Sequence, residues 1–270
     1  FKQLKEKYNW GTNPFYYIAG LKKIHPTFIQ TMLNDNRFTN DDILSTINYI
    51  STIDGTKFNR KLIYSNQNFK KKINGNWKAS TLLKNKNILI IGNGPSIMEN
   101  KKLLEKVISQ KKLFVIALNT QKNINDNLIN LRVISNELRF LTDRKEINKV
   151  KQILVLPYKY LSKNLKKNIK IKKLYDFGFN IVKGIFEFHD KYAVGPNSLA
   201  ISYALAIANS GKSKKIYLAG IDGYEKNDYR QVELQQTFES LNKNKNLIPY
   251  YSITTTKLNI PSISLHTLLD

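Results

Sequence analysis

The chain contains no cysteine, which excludes disulfide bonds, thiolate catalysis and cysteine-ligated metal sites. It has only 3 histidines, His25, His189 and His266, and they are too far apart in sequence to predict a zinc site built from histidine alone. No apolar run reaches the roughly 20 residues that a membrane-spanning helix needs, and no signal-peptide pattern opens the chain. The expected location is therefore the cytoplasm.

Acidic residues are also scarce. The chain has 20 Asp and Glu against 44 Lys and Arg, which gives a formal net charge of +24. Such an excess attracts phosphorylated ligands, polyanions and anionic membrane surfaces, but no recognised nucleic-acid motif is present, so no nucleic-acid partner is expected. Two interpretations stay open: peripheral contact with an anionic membrane at its inner face, or a compositional bias, since Lys, Asn and Ile are abundant throughout.

The pattern of apolar residues divides the chain into three regions. Residues 1–60 predict short amphipathic helices, and the basic, Asn-rich residues 61–85 predict a linker. From 86 to 270, strand and helix patterns alternate, which is typical of a Rossmann-like α/β fold with a mostly parallel sheet and helices on both faces. The polar stretch at about 223–255 is expected either to close over a site as a lid or to pack at the sheet edge.

A glycine turn, Gly92-Asn93-Gly94-Pro95-Ser96, follows the first apolar run and precedes a helix pattern. In this context glycines allow backbone N–H groups to approach a phosphate at a helix N-terminus. The dinucleotide fingerprint lacks its third glycine here, and Asn119 stands where a ribose-binding acid is expected, which disfavours NAD and FAD. A tight turn without a ligand remains the structural alternative.

Polar residues follow the other predicted strands as well. Asn119, Asn136 and Asp222 each come after an apolar run. Because the carboxyl ends of parallel strands line the ligand crevice of an open α/β sheet, these side chains should face the glycine turn and suit a nucleobase or a ribose. Asp222 alternatively serves as a metal ligand or forms a turn.

A second Gly/Pro turn, Gly195-Pro196-Asn197-Ser198, opens the helix pattern before the strand that leads to Asp222. Its residues Asn197 and Ser198 are candidates for anion binding or for helix capping. His189 is the candidate general base, because it is the histidine inside the α/β region and imidazole titrates near neutral pH. The phenols of Tyr250 and Tyr251 are candidate catalytic groups that would assist a phosphate leaving group.

The segment Ile90–Ser96, an asparagine closing the second strand, and the segment Lys215–Asp222 after a helix of small residues together resemble the bacterial sialyltransferases that modify lipooligosaccharide. They are similar also to the motility-accessory-factor flagellin glycosyltransferases. The resemblance covers about residues 86–265. It implies a glycosyltransferase that requires no metal or other cofactor, and that transfers a nonulosonate such as sialic acid from a CMP-sugar to a surface glycan or glycolipid.

The same resemblance implies roles for individual residues. CMP would be held by Asn93, Gly94, Ser96, Asn119 and Asn136, with Asn197 and Ser198 near the phosphate and sugar of the donor. In the sialyltransferases the catalytic histidine follows the Gly-Ile-Asp strand, whereas the only histidine after Asp222 is His266. The catalytic base is therefore not assigned by position.

Two further resemblances keep other functions open. The predicted sheet resembles the archaeal-type hydroxymethylpterin diphosphokinases, which implies phosphotransfer with ATP and Mg²⁺ and places Asp222 near the metal. Residues from Trp10 to Phe58 resemble the C-terminal end of aldolases of the hydroxymethylglutaryl-CoA lyase type. This implies an aldolase fusion, in which the α/β region is either a transferase or a non-catalytic nucleotide-binding module.

Overall fold

Short runs rich in Ile, Leu and Val form one parallel sheet of 7 strands, which confirms the predicted Rossmann-like α/β fold. The computed structural model describes residues 74–135, 143–161, 166, 169–171, 173–225 and 229–269. These residues all belong to the second of the two units into which the chain divides, Phe69–Asp270. The helices predicted within residues 1–60 lie outside the described residues.

The strands are β1 Asn87–Ile91, β2 Phe114–Leu118, β3 Leu131–Val133, β4 Ile153–Leu156, β5 Leu174–Asp176, β6 Gly178–Ile181, β7 Glu187–Phe188, β8 Tyr192–Gly195, β9 Lys215–Ala219 and β10 Tyr250–Ser252. The α-helices are α1 Ser80–Leu83, α2 Ser96–Glu99, α3 Lys101–Gln110, α4 Arg144–Ile147, α5 Ala200–Ser210 and α6 Tyr229–Asn242. Single turns of 3-10 helix occur at Asp126–Leu128, Tyr158–Tyr160 and His266–Leu268.

The strand order of the large sheet is β10-β9-β1-β2-β3-β4-β5, and every neighbouring pair is parallel. After β5 the chain forms a separate three-stranded sheet in the order β6-β8-β7, and then returns through α5 to β9 on the other side of β1. The direction of strand addition therefore reverses between β1 and β9. In open α/β sheets, ligands bind outside the carboxyl ends of the strands at such a switch point.

The central strands are buried on both faces, which explains their uninterrupted apolar sequences. On one face, Leu89 and Ile91 of β1 belong to the same core cluster as Leu104 and Val107 of α3. Helix α5 contacts β1, β2 and β3 and is buried from Ile201 to Ser210, so it is the central helix of the domain.

The predicted helix after the glycine turn is divided into α2 and α3 at Asn100. The Asn100 side-chain Nδ2 donates to the Ser96 carbonyl at 2.9 Å, and the Asn100 backbone carbonyl accepts from the N–H of Leu104 at 2.9 Å. Asparagine side chains compete in this way with the helical backbone for its hydrogen-bonding groups.

Two predicted connecting segments are packed parts of the domain. Residues 74–85, within the predicted linker, bury Trp77 and Leu83. Of the stretch predicted as a lid or an edge segment, β10 pairs with β9 at the sheet edge, and α6 buries Leu234, Phe238 and Leu241. In the described part of this stretch, β10 thus lies at the sheet edge, and apolar side chains at helical spacing hold α6 against the domain.

Asp176, the last residue of β5, is a buried carboxyl group at 3% exposure. Burial raises its pKa, and backbone hydrogen bonds from Lys159 and Tyr158 oppose the rise. Because the folded state holds this proton more tightly than the unfolded state, the stabilisation is complete below the ordinary value of 3.8 and is lost as pH rises through the elevated pKa. We expect that the stability of the Asp176→Asn variant does not fall with rising pH in this way. Urea unfolding of the wild type and the variant across the acidic pH range would measure the difference. Parallel pH profiles would contradict it.

Candidate functional site

The loops that follow β1 and β9 are joined to each other by backbone hydrogen bonds. The N–H of Gly92 donates to the Ala219 carbonyl at 2.8 Å, and that of Gly94 donates to the Gly220 carbonyl at 2.9 Å. A Cβ atom at Gly92 would lie 2.3 Å from the Gly220 oxygen, so glycine is required for this approach. These glycine N–H groups, which the sequence predicted to face a phosphate, therefore bind the protein's own backbone.

Asp222 lies where the phosphate was predicted. Its Oδ2 accepts from the backbone N–H of Ser96 at 2.8 Å, and its Oδ1 accepts from the Ser96 hydroxyl at 2.5 Å. A Cβ atom at Gly94 would lie 2.4 Å from the Asp222 carboxyl carbon. The turn does hold an anion, but that anion is an internal carboxylate. Ser96, at 2% exposure, is thus a structural residue rather than an open phosphate ligand.

Asn197 is also fully engaged within the protein. Its Nδ2 donates to the Glu233 carbonyl and to the Thr237 hydroxyl, both at 2.9 Å, and its Oδ1 accepts from the Ser202 hydroxyl at 2.6 Å and from the N–H of Leu199 at 3.2 Å. These contacts use both donors and both lone pairs of the amide. Asn197 therefore connects the start of α5 to α6, and the predicted contact with a donor sugar is not supported.

Ser198 takes part in a different contact at the carboxyl edge of the sheet. Its backbone carbonyl accepts a hydrogen bond from the Ser135 hydroxyl at 2.7 Å. This places the start of α5 beside the end of β3, where Ser198 is half-buried. The predicted residue Asn136, next to Ser135, lies outside the described residues.

His189 lies near the amino end of β8, whereas the carboxyl end of β8 leads into the turn that contains Asn197 and Ser198. It follows β7, which runs antiparallel to β8, and its backbone N–H donates to Tyr192, the first residue of β8. Its ring stacks on that of Tyr192, with the two ring centres 4.2 Å apart, and its Nε2 lies 3.4 Å from a Glu187 carboxylate oxygen. The length of β8 separates His189 from the turn at Gly195. The structure therefore does not bring the predicted base to the candidate site.

Tyr250 and Tyr251 pair with Ile216 and Tyr217, near the amino end of β9. The Tyr250 hydroxyl donates to Asn242 Oδ1 at 2.7 Å, and burial raises the pKa of this phenol. Tyr251 lies against the main core cluster. Both side chains thus have packing roles at a distance from the carboxyl edge, and the predicted catalytic roles find no support in this placement.

The loops after β1 and β2 carry four amide side chains, which we call the amide cluster: Asn93, Asn119, Gln121 and Asn123. Asn93 Oδ1 accepts from Asn123 Nδ2 at 2.9 Å, and Gln121 Oε1 accepts from the N–H of Asn123 at 2.8 Å. Asn93 is exposed, and Asn119 is half-exposed with a left-handed φ of 55° that asparagine tolerates. Within the described part of the chain, the buried Nε2 of Gln121 has no hydrogen-bond acceptor.

A buried arginine holds the loop that carries most of this cluster. Arg132 Nη1 donates to the carbonyls of Asn119 at 3.2 Å and Gln121 at 2.8 Å, while Nη2 pairs with Asp126 at 2.6 Å. Burial lowers the pKa of Arg132, and the neighbouring Asp126 counteracts this. The signal in the sequence was an arginine inside the apolar run of β3, because a charge at a buried strand position requires partners.

Thr120 and Asp143 form a second buried contact next to the amide cluster. The Thr120 hydroxyl donates to Asp143 Oδ2 at 2.5 Å, and the two residues are 3% and 2% exposed. Nothing in the spacing of these residues, which are 23 positions apart, predicted this contact. It fixes the loop after β2 to Asp143, the residue that directly precedes α4.

The candidate site is therefore an amide-rich region at the carboxyl ends of β1 and β2. The buried hydrogen bonds of Arg132 and Thr120 hold the loop after β2 in place. Over the described ranges, no group of three or more His, Cys, Asp or Glu side chains is arranged to hold a metal ion. Of the helices in those ranges, none is long and apolar enough to cross a membrane. Comparison of the sequence with protein-family models and with curated proteins found no match.

Proposed function

We propose that the protein is a metal-independent glycosyltransferase that binds the nucleoside of a CMP-sugar donor at the amide cluster and transfers the sugar, a nonulosonate, to a surface glycan or glycolipid. The observation that carries the proposal is the gathering of Asn93, Asn119, Gln121 and Asn123 on adjacent loops at the carboxyl edge. Amides combine N–H donors with a carbonyl acceptor, which is the pattern that a cytosine edge requires. Asn93 is exposed and Asn119 is half-exposed, so their amide groups are the ones that a base can reach.

The contact between Ser96 and Asp222 adds support. It joins the glycine turn to the Gly-Ile-Asp strand, two of the three features in which the sequence resembles the sialyltransferases. Because the Asp222 carboxylate fills the turn, the proposal assigns the nucleoside to the amide cluster and assigns no phosphate to the N–H group of Ser96. It also assigns no catalytic role to His189, Tyr250 or Tyr251.

A non-catalytic nucleotide-binding module is the second candidate. It is favoured by one observation, the placement of His189, Tyr250 and Tyr251 away from the carboxyl edge. The diphosphokinase alternative has less support, since both carboxylate oxygens of its expected metal ligand, Asp222, accept hydrogen bonds from Ser96. The two leading candidates share nucleotide binding and differ in turnover.

Thermal unfolding with CMP, CDP, UDP, ATP or NAD, each with and without Mg²⁺, tests the shared step. A ligand that binds the folded state raises the unfolding temperature. We expect CMP to raise it equally with and without Mg²⁺, and NAD to leave it unchanged. A Mg²⁺-dependent rise with ATP, together with no rise with CMP, would contradict the proposal. Release of free sugar from CMP-sialic acid then supports the transferase, whereas CMP binding without any release or transfer supports the module.

Asn119→Asp is expected to weaken CMP binding about tenfold, because it removes an amide donor, worth about 1 kcal/mol, and adds a negative charge near the ligand. Asn85→Asp is the matched control. Asn85 is exposed and has a similar left-handed φ of 61°, but it lies before β1 at the opposite edge of the sheet. Isothermal titration of both variants with CMP measures the difference, and equal affinities for the two would place the nucleotide elsewhere.

A further inference from the structure

Lysines precede the amino ends of three neighbouring strands of the large sheet, β9, β1 and β2. Before β1, β2 and β9 lie six exposed lysines, which we call the lysine ridge: Lys84, Lys86, Lys111, Lys112, Lys212 and Lys214. Because β9, β1 and β2 are neighbouring parallel strands, their amino ends meet at one edge of the sheet. Neighbouring strands are about 4.8 Å apart, so the lysine ridge concentrates its charge within a narrow strip.

Contacts between the turns keep these lysines together. The N–H of Asn85 donates to the Lys212 carbonyl at 3.0 Å, and the N–H of Lys214 donates to the Lys86 carbonyl at 2.8 Å. The Lys86 ammonium lies 4.7 Å from the centre of the Phe114 ring at the start of β2. The turns before β1 and β9 thus form one hydrogen-bonded surface, and Lys86 extends it towards β2.

The charge of the lysine ridge is not neutralised locally. Its three turns contain no acidic residue, and among the described residues none of the six lysines forms an ion pair. Lys112 and Lys212 have left-handed φ angles of 47° and 53°, which favour glycine or asparagine over lysine. Two of the six charges therefore occupy positions where the backbone conformation alone would select another residue.

We propose that the lysine ridge binds the surface of an anionic lipid bilayer. Lysine is a flexible point charge suited to diffuse anionic headgroups, whereas bidentate recognition of individual phosphates favours arginine, and the ridge contains no arginine. The aromatic rings beside it, Phe114 and Tyr251, are half-buried beneath lysines and are not displayed for stacking on bases. Exposed Lys243 and Lys245, before β10, extend the positive strip along the same edge.

Docking through this edge leaves the amide cluster at the opposite, carboxyl edge of the sheet, facing away from the lipid. A soluble ligand would therefore reach that cluster while the protein is membrane-bound. Binding at the amino edge does not depend on which nucleotide the carboxyl edge holds, so either proposal can fail without the other.

Co-sedimentation of the full chain with lipid vesicles tests whether the lysine ridge binds an anionic bilayer. We expect binding to vesicles of equimolar phosphatidylcholine and phosphatidylglycerol, no binding to phosphatidylcholine alone, and release by high salt. Each lysine near an anionic surface contributes about fivefold to the partition coefficient. The triple variant Lys86→Gln, Lys112→Gln, Lys214→Gln should thus lower partitioning by about a hundredfold.

The matched control is Lys102→Gln, Lys106→Gln, Lys183→Gln, which removes the same charge from exposed lysines on α3 and after β6. It should lower partitioning much less, and the ridge triple made with arginine instead of glutamine should keep wild-type binding. Circular dichroism of each variant establishes that it is folded. Equal losses in the two glutamine triples, or binding to duplex DNA without binding to anionic vesicles, would overturn the proposal.

Discussion

Replacing Arg132 with methionine is expected to lower the free energy of unfolding by about 3 kcal/mol, because the substitution leaves buried carbonyl groups without donors. Arg132 is 2% exposed and donates to the carbonyls of Asn119 and Gln121. Methionine fills a similar volume but offers no N–H group. Since these carbonyls belong to the loop that carries most of the amide cluster, we expect CMP affinity to fall together with stability. Urea unfolding and titration with CMP measure the two effects.

Asp126→Asn is the control for this prediction. It removes the charge that pairs with Arg132 Nη2 but leaves both carbonyl contacts in place. The Asp126 side chain is 58% exposed, and an asparagine at this position still offers an oxygen to Nη2, so we expect a smaller loss of about 1 kcal/mol. If Asp126→Asn destabilised the protein as much as Arg132→Met does, the ion pair rather than the carbonyl contacts would be the important interaction.

Gly94→Ala is expected to destabilise the protein by about 3 kcal/mol through the loss of hydrogen bonds to a charged group. The new Cβ would lie 2.4 to 2.6 Å from the carboxyl atoms of Asp222, so the carboxylate must leave Ser96. Both hydrogen bonds from Ser96, at 2.8 and 2.5 Å, are then lost. Urea unfolding measures the change.

A double-mutant cycle tests this mechanism directly. Asp222→Ala removes the same two hydrogen bonds and also opens the space beside Gly94. We therefore expect Gly94→Ala to cost little in a protein that already carries Asp222→Ala, because contacting residues are not independent. If the two costs added, the effect of Gly94→Ala would arise from the backbone of the turn and not from its contact with Asp222.

Much of the domain was predictable because its determinants are local. The apolar runs of β1 and β4 read as buried strands, and their alternation with helical patterns predicted the parallel sheet. The glycine turn after β1 was recognisable as a site of close approach. These features depend on neighbouring residues in the chain, so a single sequence contains the information.

The partner of that turn was not predictable, because it comes from far along the chain. Ser96 and Asp222 are 126 positions apart, and both an external phosphate and an internal carboxylate satisfy the same N–H group. The composition likewise gave the excess of lysine without its location. His189 lay within the predicted nucleotide-binding region, yet the antiparallel pairing of β7 with β8 carries it away from the carboxyl edge.

The sequence by itself thus determined the fold class and the apolar strands β1 to β4 and β9, and it offered candidate residues for nucleotide binding. Only the tertiary structure decided which of them share a surface. Parallel pairing brings all strand starts to one edge and all strand ends to the other, so it separates the lysine ridge from the amide cluster although their residues alternate along the chain. Periodicity and spacing reflect contacts between near neighbours, whereas the order and direction of strands depend on contacts between distant segments.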